Sequence, residues 1–465
     1  MIGGPEKIER LNPVSYSKVL NIFLLLVILI HSVIRDNYLE KQYTGDLRNR
    51  IVGARLQKDG RLPYFYYWQA KDGIRYFDPN NLNKSSETVS TITASPFFHQ
   101  LLYPVCDLDQ WILSKIWFVF QYILLAAMVW IACRMTANVN FRWLLINTGT
   151  LFTITEAWKS NIENGQIYLF YAFLTLFVIS GVLSKNRVWT IVAGLIMAVW
   201  ILNRPIGIIV LIPILLLYKH QRLFLFTTMT SLLLYVVFVL SSPFEKALWL
   251  NYKEGIRMQV KLHQEADPKA SLAPRLLPEN RQLEGIDFNA VNKNMAEHPI
   301  TVYSENGNFF VLYRSLTHHK ISLGWLNLVS LITIVALMSF FYYAYKKNKE
   351  QLLQVLIFAF TLYMVIEIFS PIYRHQYNTV QWFPLVLTAL LIPMKWRNPG
   401  FLLLALGLLL NIVNPGWIPM RHTLGELAWL AALLYLSCTN ADEQNVEIRS
   451  SPDDNSKIAT SLSGQ

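Results

Sequence analysis

Long uninterrupted apolar stretches constrain this chain more than any other feature. Segments such as 19–34, 111–133 and 402–410 with their flanks carry almost no charge. Runs of about 20 apolar residues match the ~30 Å hydrocarbon thickness of a bilayer, and a helix there satisfies its own backbone hydrogen bonds. Hydrophobic residues make up 53% of the chain and charged ones 15%, against roughly 25% charged in an average globular protein. A soluble enzyme, a secreted domain and a disordered scaffold are excluded together. The expected fold class is an all-α polytopic membrane protein.

Hydropathy predicts about twelve transmembrane helices, near 17–35, 112–133, 142–158, 166–184, 188–203, 205–219, 222–241, 321–345, 352–370, 377–394, 400–415 and 423–438. No cleavable signal is evident, so the first helix reads as retained. Lys plus Arg exceed Asp plus Glu by 41 to 30, and the excess sits in short loops rather than in a nucleic-acid-binding face. With the N-terminus (1–16) in the cytoplasm, Arg134, Arg142, Lys185, Arg187, Lys219, Arg222, Lys346, Lys347, Lys349, Lys395 and Arg397 fall on that side. The opposite short loops hold only Lys159, Arg204, Arg374 and Arg421. This is the asymmetry of the positive-inside rule. Two long polar segments, 36–111 and 242–320, then face outward, and the Ser/Asp/Asn-rich tail 439–465 reads as disordered and cytoplasmic. The expected partition is a membrane domain over 17–438 with two large extracytoplasmic loops.

The candidate chemistry lies at the outward ends of the spans. Over 45–58, Leu47, Ile51 and Ala54 recur at helical spacing, predicting an amphipathic helix on the membrane surface with Asp46 at its N-terminal edge. Position alone favours Asp46 as an N-cap, but a carboxylate just above the bilayer is also where a general base for a lipid-borne reaction belongs. Tyr64 opens an aromatic stretch that reads as an interfacial belt or as a platform for a sugar ring or isoprenoid chain. Polar residues cluster at four further junctions: Glu156 to Gln166 (with Lys159, Glu163 and Asn164), Asn203-Arg204-Pro205, Ser370 to Tyr377 (with Arg374 and His375), and Arg421-His422. Outward-side cations run against the positive-inside trend. Arg204, Arg374 and His375 offer donors that suit a phosphate. Glu367, deep in its span, reads as a bundle-interior hydrogen-bonding group.

Other chemistries find little support. No Walker loop and no G-x-S-x-G is present. Asp107-Leu-Asp109 resembles a metal-binding pair but abuts Trp111, so it reads as the entry to a span, and no metal is expected. Cys106, Cys133 and Cys438 are too scattered for a disulfide framework or a zinc site.

Taken in order, these residues resemble the membrane glycosyltransferases of the C superfamily, and family 87 in particular, the polyprenyl-phosphate-mannose-dependent α-mannosyltransferases. The likeness rests on Asp46 in the first outward loop, then Gly60, Pro63 and Tyr64, Ser95-Pro96-Phe97 and Tyr103-Pro104. Asn164-Gly165-Gln166 at the start of a span, Arg204-Pro205, and Ser370-Pro371 with His375 continue it. The chain departs from the family where Ser95-Pro96-Phe97 stands in place of Tyr-Pro-Pro, and Arg204 in place of Lys. The resemblance implies an inverting hexosyltransferase of the cell envelope. It would take a sugar, mannose being the commonest, from a polyprenyl monophosphate and pass it to a hydroxyl of a lipid-linked or glycan acceptor on the extracytoplasmic side of the plasma or inner membrane. It implies no cofactor.

On that reading Asp46 becomes the base, aided by His375. Arg204, Arg374 and Lys159 would hold the donor phosphate, and Tyr64, Glu163, Asn164, Gln166 and Tyr377 would bind substrate. Two competitors stay open. A polysaccharide polymerase or ligase acting on lipid-linked glycans would depend on Arg257, Arg275 and His263 in the second loop. A transporter or flippase, the weaker of the two, would show broken helices and mid-bilayer binding residues, whereas the charged residues here cluster at the outer rim.

Overall fold

The computed structural model describes residues 13–40, 45–66, 68, 70–77, 92–184, 186–217, 221–265, 308–347, 352–413, 418 and 420–438. The tail 439–465, Arg275, Lys185, Lys219 and Lys349 lie outside the described residues, as do the side chains of His263, Lys346 and Lys347. Every regular element among the described residues is helical. In chain order they are α1 (Pro13–Glu40), α2 (Gly45–Lys58), α3 (Pro96–Leu102), α4 (Gln110–Arg134), α5 (Val139–Phe152), α6 (Glu156–Glu163), α7 (Tyr168–Leu183) and α8 (Arg187–Asn203). A 3-10 turn over Pro205–Val210 leads into α9 (Leu211–Leu217), followed by α10 (Arg222–Ser241), α11 (Pro243–Glu265), α12 (Phe309–Thr317), α13 (Leu323–Lys347) and α14 (Leu352–Ile368). A further 3-10 turn, Gln376–Trp382, leads into α15 (Phe383–Ala389), followed by α16 (Pro399–Ile412) and α17 (Arg421–Cys438).

Short polar residues set many of the helix starts. Ser95, Asp109, Asn138, Thr155, Asn186 and Asn398 each stand just before a helix and accept a hydrogen bond from a backbone N–H of its first turn. Such caps satisfy donors that an apolar helix cannot pair internally. Asp109 thus marks the entry to α4, as its sequence context suggested.

Among the described residues, four helices are long and apolar enough to cross a membrane: Lys18–Leu39 within α1, α4, α10 and Leu323–Tyr345 within α13. Three of these, α1, α10 and α13, keep most of their side chains outside the protein core, the pattern of helices that present their apolar faces to lipid. At the centre lies α14, buried on all sides from Leu353 to Val365, with the segment from Asn378 to Ile392 beside it.

Several expected spans are interrupted. The segment 142–158 is not one helix: α5 ends at Phe152, Thr155 caps α6, and α6 meets α7 at a bend of 118°. The segments 205–219 and 377–394 each begin as a 3-10 turn before becoming α-helical. Hydropathy averages over such breaks because each is shorter than the window a span requires.

The helix predicted over 45–58 forms with those bounds, but it does not lie on a surface. Leu47 to Gln57 are all buried, covered by residues 61–66 and 70–77, by α3 and by the segment that follows it. The arginines make this burial tolerable by donating to backbone carbonyls of that cover. The Arg48 Nε donates to Phe77 O at 2.8 Å. The Arg55 guanidinium donates to Cys106 O, Arg75 O and Leu108 O at 2.6, 3.0 and 3.1 Å.

Candidate active site

The buried α2 delivers Asp46 in its first turn, where the helix dipole favours a carboxylate. Its side chain turns away from the helix and accepts a hydrogen bond from the Gln166 Nε2. The Gln166 Oε1 accepts in turn from the Arg50 guanidinium at 2.6 Å. This reciprocal pair fixes the amide orientation: nitrogen to the carboxylate, oxygen to the cation. Asp46 and Arg50 are one turn apart on the same helix face, so their side chains meet across Gln166. Gln166 is itself held at its backbone carbonyl by the Trp117 Nε1 and the Gln121 Nε2, at 3.3 and 3.4 Å. The sharp turn at Gly165, with φ of 60°, carries the chain from α6 to this position.

His375 and Tyr377 come from the loop and 3-10 turn after α14. Their rings lie 5.0 Å apart, and Tyr377 stacks on Tyr168 at 5.4 Å with 17° between the planes. Asp46 acts through space on both His375 and Tyr377. The His375 imidazole is accessible to solvent, yet surrounding protein strips enough water from it to lower its pKa, and Asp46 opposes that shift. A neutral imidazole can exchange protons with a hydroxyl near neutral pH.

Arg204 completes the group. Its guanidinium lies over the rings of Tyr168 and Tyr171 at 5.1 and 5.4 Å. It stands 4.0 Å from the Glu367 carboxylate, and its Nε has no hydrogen-bond partner. Glu367 is therefore the carboxylate facing Arg204, where the sequence suggested a plain interior hydrogen bond. It also engages the Tyr363 hydroxyl. Asp46, Tyr168, Arg204, His375 and Tyr377 all keep some solvent exposure, so the cluster can be reached from outside.

Other expected site residues are placed elsewhere. Arg374 is committed to Glu426, with guanidinium–carboxylate distances of 2.5 and 3.2 Å, and both side chains are almost wholly buried. Thr379 donates to the same carboxylate at 2.7 Å. An arginine so paired anchors the loop before His375 and is not open to a substrate phosphate. Lys159 pairs with Glu156 at 3.7 Å, and among the described residues no hydrogen bond or ion pair joins it to Arg204. The Asn164 Nδ2 donates to Ser160 O at 2.8 Å, closing α6, while Glu163 is half-buried beside it. Tyr64 is buried, its hydroxyl donating to Ala94 O at 2.7 Å. Its ring lies 5.6 Å from that of Tyr252. Arg421 caps α16 by donating to Leu410 O and Val413 O at 3.3 and 3.0 Å.

The remaining charged groups are structural. Asp107 pairs with Lys58 and Arg75, and among the described residues no group of His, Cys, Asp and Glu could hold a metal ion. Asp36 is fully buried and accepts from the Tyr122 hydroxyl and the Trp158 Nε1, both at 2.6 Å. It ties α1, α4 and α6 together and offers no access to a substrate. In the second loop, Arg257 is exposed and paired with Glu254 at 2.7 Å.

Sequence reasoning passed over Arg50, Tyr168 and Tyr171. Arg50 had a signal, its i+4 spacing from Asp46. The tyrosines had a fainter one, since they follow Gln166 on a helix face turned toward Arg204.

Residues 93–276 match the model of glycosyltransferase family 87. The match takes in Gln166, Tyr168 and Arg204 and lies between Asp46 and His375. No curated protein and no solved structure matches the chain. The family match bears out the resemblance drawn from the sequence and, with the apolar helices, supports a membrane glycosyltransferase.

Proposed function

We infer that this family-87-like membrane glycosyltransferase is an inverting enzyme that takes a sugar from a polyprenyl monophosphate and passes it to a hydroxyl of a lipid-linked or glycan acceptor. The observation that carries this reading is one accessible cluster holding a hydrogen-bonded carboxylate, Asp46, and a loosely held guanidinium, Arg204, with His375 and Tyr377 between them. Inverting transfer needs those two functions on opposite sides of one anomeric carbon.

Asp46 accepts the proton of the acceptor hydroxyl as that oxygen bonds to the anomeric carbon. The bond from that carbon to the phosphate oxygen breaks, and the polyprenyl phosphate leaves carrying the added negative charge. Fixed cationic donors stabilise such a leaving group as its charge develops. Arg204 is the cation placed for it, and a phosphate requires no strong acid. His375, held neutral by its surroundings, orients the acceptor hydroxyl toward Asp46. Tyr168 and Tyr377 offer ring faces for the sugar.

The reading places the site on the extracytoplasmic side with both termini in the cytoplasm, consistent with the distribution of Lys and Arg among the loops. Mannose is the sugar the family resemblance favours. A test uses purified protein in nanodiscs, a panel of polyprenyl-phosphate sugars and a membrane extract as acceptor. Wild type transfers one sugar, Asp46→Asn folds but does not transfer, and Arg204→Ala turns over slowly at limiting donor. Full activity in Asp46→Asn overturns the assignment of the base.

A further inference from the structure

Glu367 takes no part in the scheme above, yet it is the sole ion-pair partner of Arg204 among the described residues. The pair is unlike that of Arg374 and Glu426. Arg374 and Glu426 are in hydrogen-bond contact, whereas Arg204 and Glu367 stand 4.0 Å apart. The Arg204 Nε is unpartnered, and two tyrosine faces, not further acceptors, flank the guanidinium. Exposure differs across the pair: the arginine side chain is 27% accessible and the glutamate 9%. The cation thus faces the accessible cluster while the carboxylate sits behind it.

We propose that Glu367 is a resident counterion that holds Arg204 in the empty site and weakens its grip on the product phosphate, so that it governs product release. The inference rests on Arg204 binding the donor phosphate. A carboxylate behind the guanidinium repels any phosphate in front of it, because two anions then share one cation. That repulsion is unequal for donor and product. The sugar-phosphate-lipid donor is a phosphodiester with a single negative charge, whereas the polyprenyl monophosphate left behind carries close to two above pH 7. Glu367 therefore disfavours product more than donor, and a tighter pair, such as that of Arg374, would instead keep the guanidinium from either ligand. Replacing Glu367 by a neutral isostere is expected to trap the product.

The experiment measures binding to the full-length protein in nanodiscs at pH 8 by intrinsic tryptophan fluorescence. The probes are farnesyl phosphate, farnesyl methyl phosphate as the diester, and farnesol as the uncharged control. In Glu367→Gln the monoester binds tighter on the order of tenfold, the diester by roughly threefold, and farnesol as in wild type. Glu367→Asp, whose shorter side chain stands farther from Arg204, gives a smaller gain in the same order. It serves as the test if Glu367→Gln does not fold. Unchanged or weaker monoester binding in these variants, or equal gains for monoester and diester, overturns the counterion role. Arg204→Ala separates the two ideas: if it leaves farnesyl phosphate binding intact, the phosphate reading of Arg204 itself fails.

Discussion

Replacing Arg374 by Ala distinguishes a structural arginine from a substrate-binding one. The guanidinium meets Glu426 at 2.5 and 3.2 Å, and Thr379 donates to the same carboxylate at 2.7 Å. Both charged side chains are no more than 3% accessible. The Ala variant strands the Glu426 carboxylate in a protein interior, with the Thr379 hydroxyl as its remaining donor among the described residues. Removing one partner of a buried ion pair costs about 3–5 kcal/mol. A penalty of that size is a large part of the stability of most folds. The double variant Arg374→Met, Glu426→Leu replaces the pair with apolar groups of comparable bulk, and such swaps are often neutral. It should recover most of the loss. The assay is thermal denaturation in detergent, followed by size-exclusion chromatography and, for the fraction that stays folded, the KM for donor. The expected outcome is a large drop in unfolding temperature for Arg374→Ala, recovery in the double variant, and little change in donor KM. A stable Arg374→Ala protein with a raised donor KM would refute the reasoning and return Arg374 to the phosphate site.

Gln166→Leu removes the amide between Asp46 and Arg50, leaving the guanidinium to act on the carboxylate directly. The rate should drop about 10- to 100-fold while the protein stays folded; an unchanged rate would count against the relay. Gly53→Ala places a methyl group against the His99 ring, which is buried and contacts Gln57 through Nδ1 at 3.2 Å. Overpacking there costs about 1–3 kcal/mol, read as a lower unfolding temperature, and His99→Ala in the same chain should relieve part of it. His99 itself is pushed down to about 3 by burial, from an ordinary 6.5. Between those values the unfolded chain binds the proton and the folded one does not, so stability is lost as pH falls, by up to about 1.4 kcal/mol per unit. Melting curves from pH 7 to 4 should show a flatter dependence in His99→Gln.

Sequence periodicity and polarity locate most helices here because the signals are local. The apolar runs, the caps at Asp109 and Asn138, and the 45–58 helix depend on neighbours within a few residues. The roles of Arg204 and Arg374 are not local. Both are arginines at the ends of apolar segments, and nothing near them in the chain separates one from the other. Their difference is that Glu426, 52 residues beyond Arg374, sits in contact with its guanidinium, whereas Glu367 stops short of Arg204. The burial of α2 was hidden for the same reason. Its arginines look solvated until the carbonyls of Phe77, Arg75, Cys106 and Leu108 are seen to cover them.

The breaks in the helices carry the functional consequence. Three interruptions occur at the α6–α7 bend, at Arg204-Pro205 and at the loop and 3-10 turn after α14. Each supplies the site: Gln166 and Tyr168 from the first, Arg204 from the second, His375 and Tyr377 from the third. A continuous helix would face such groups along its length toward lipid or toward the core. A helix that stops and turns presents its end, and its next side chains, to the same small volume as its neighbours. The chain therefore gathers its polar chemistry where its helices end and turn, and Asp46, carried in by a buried helix from the first loop, meets that chemistry through the amide of Gln166.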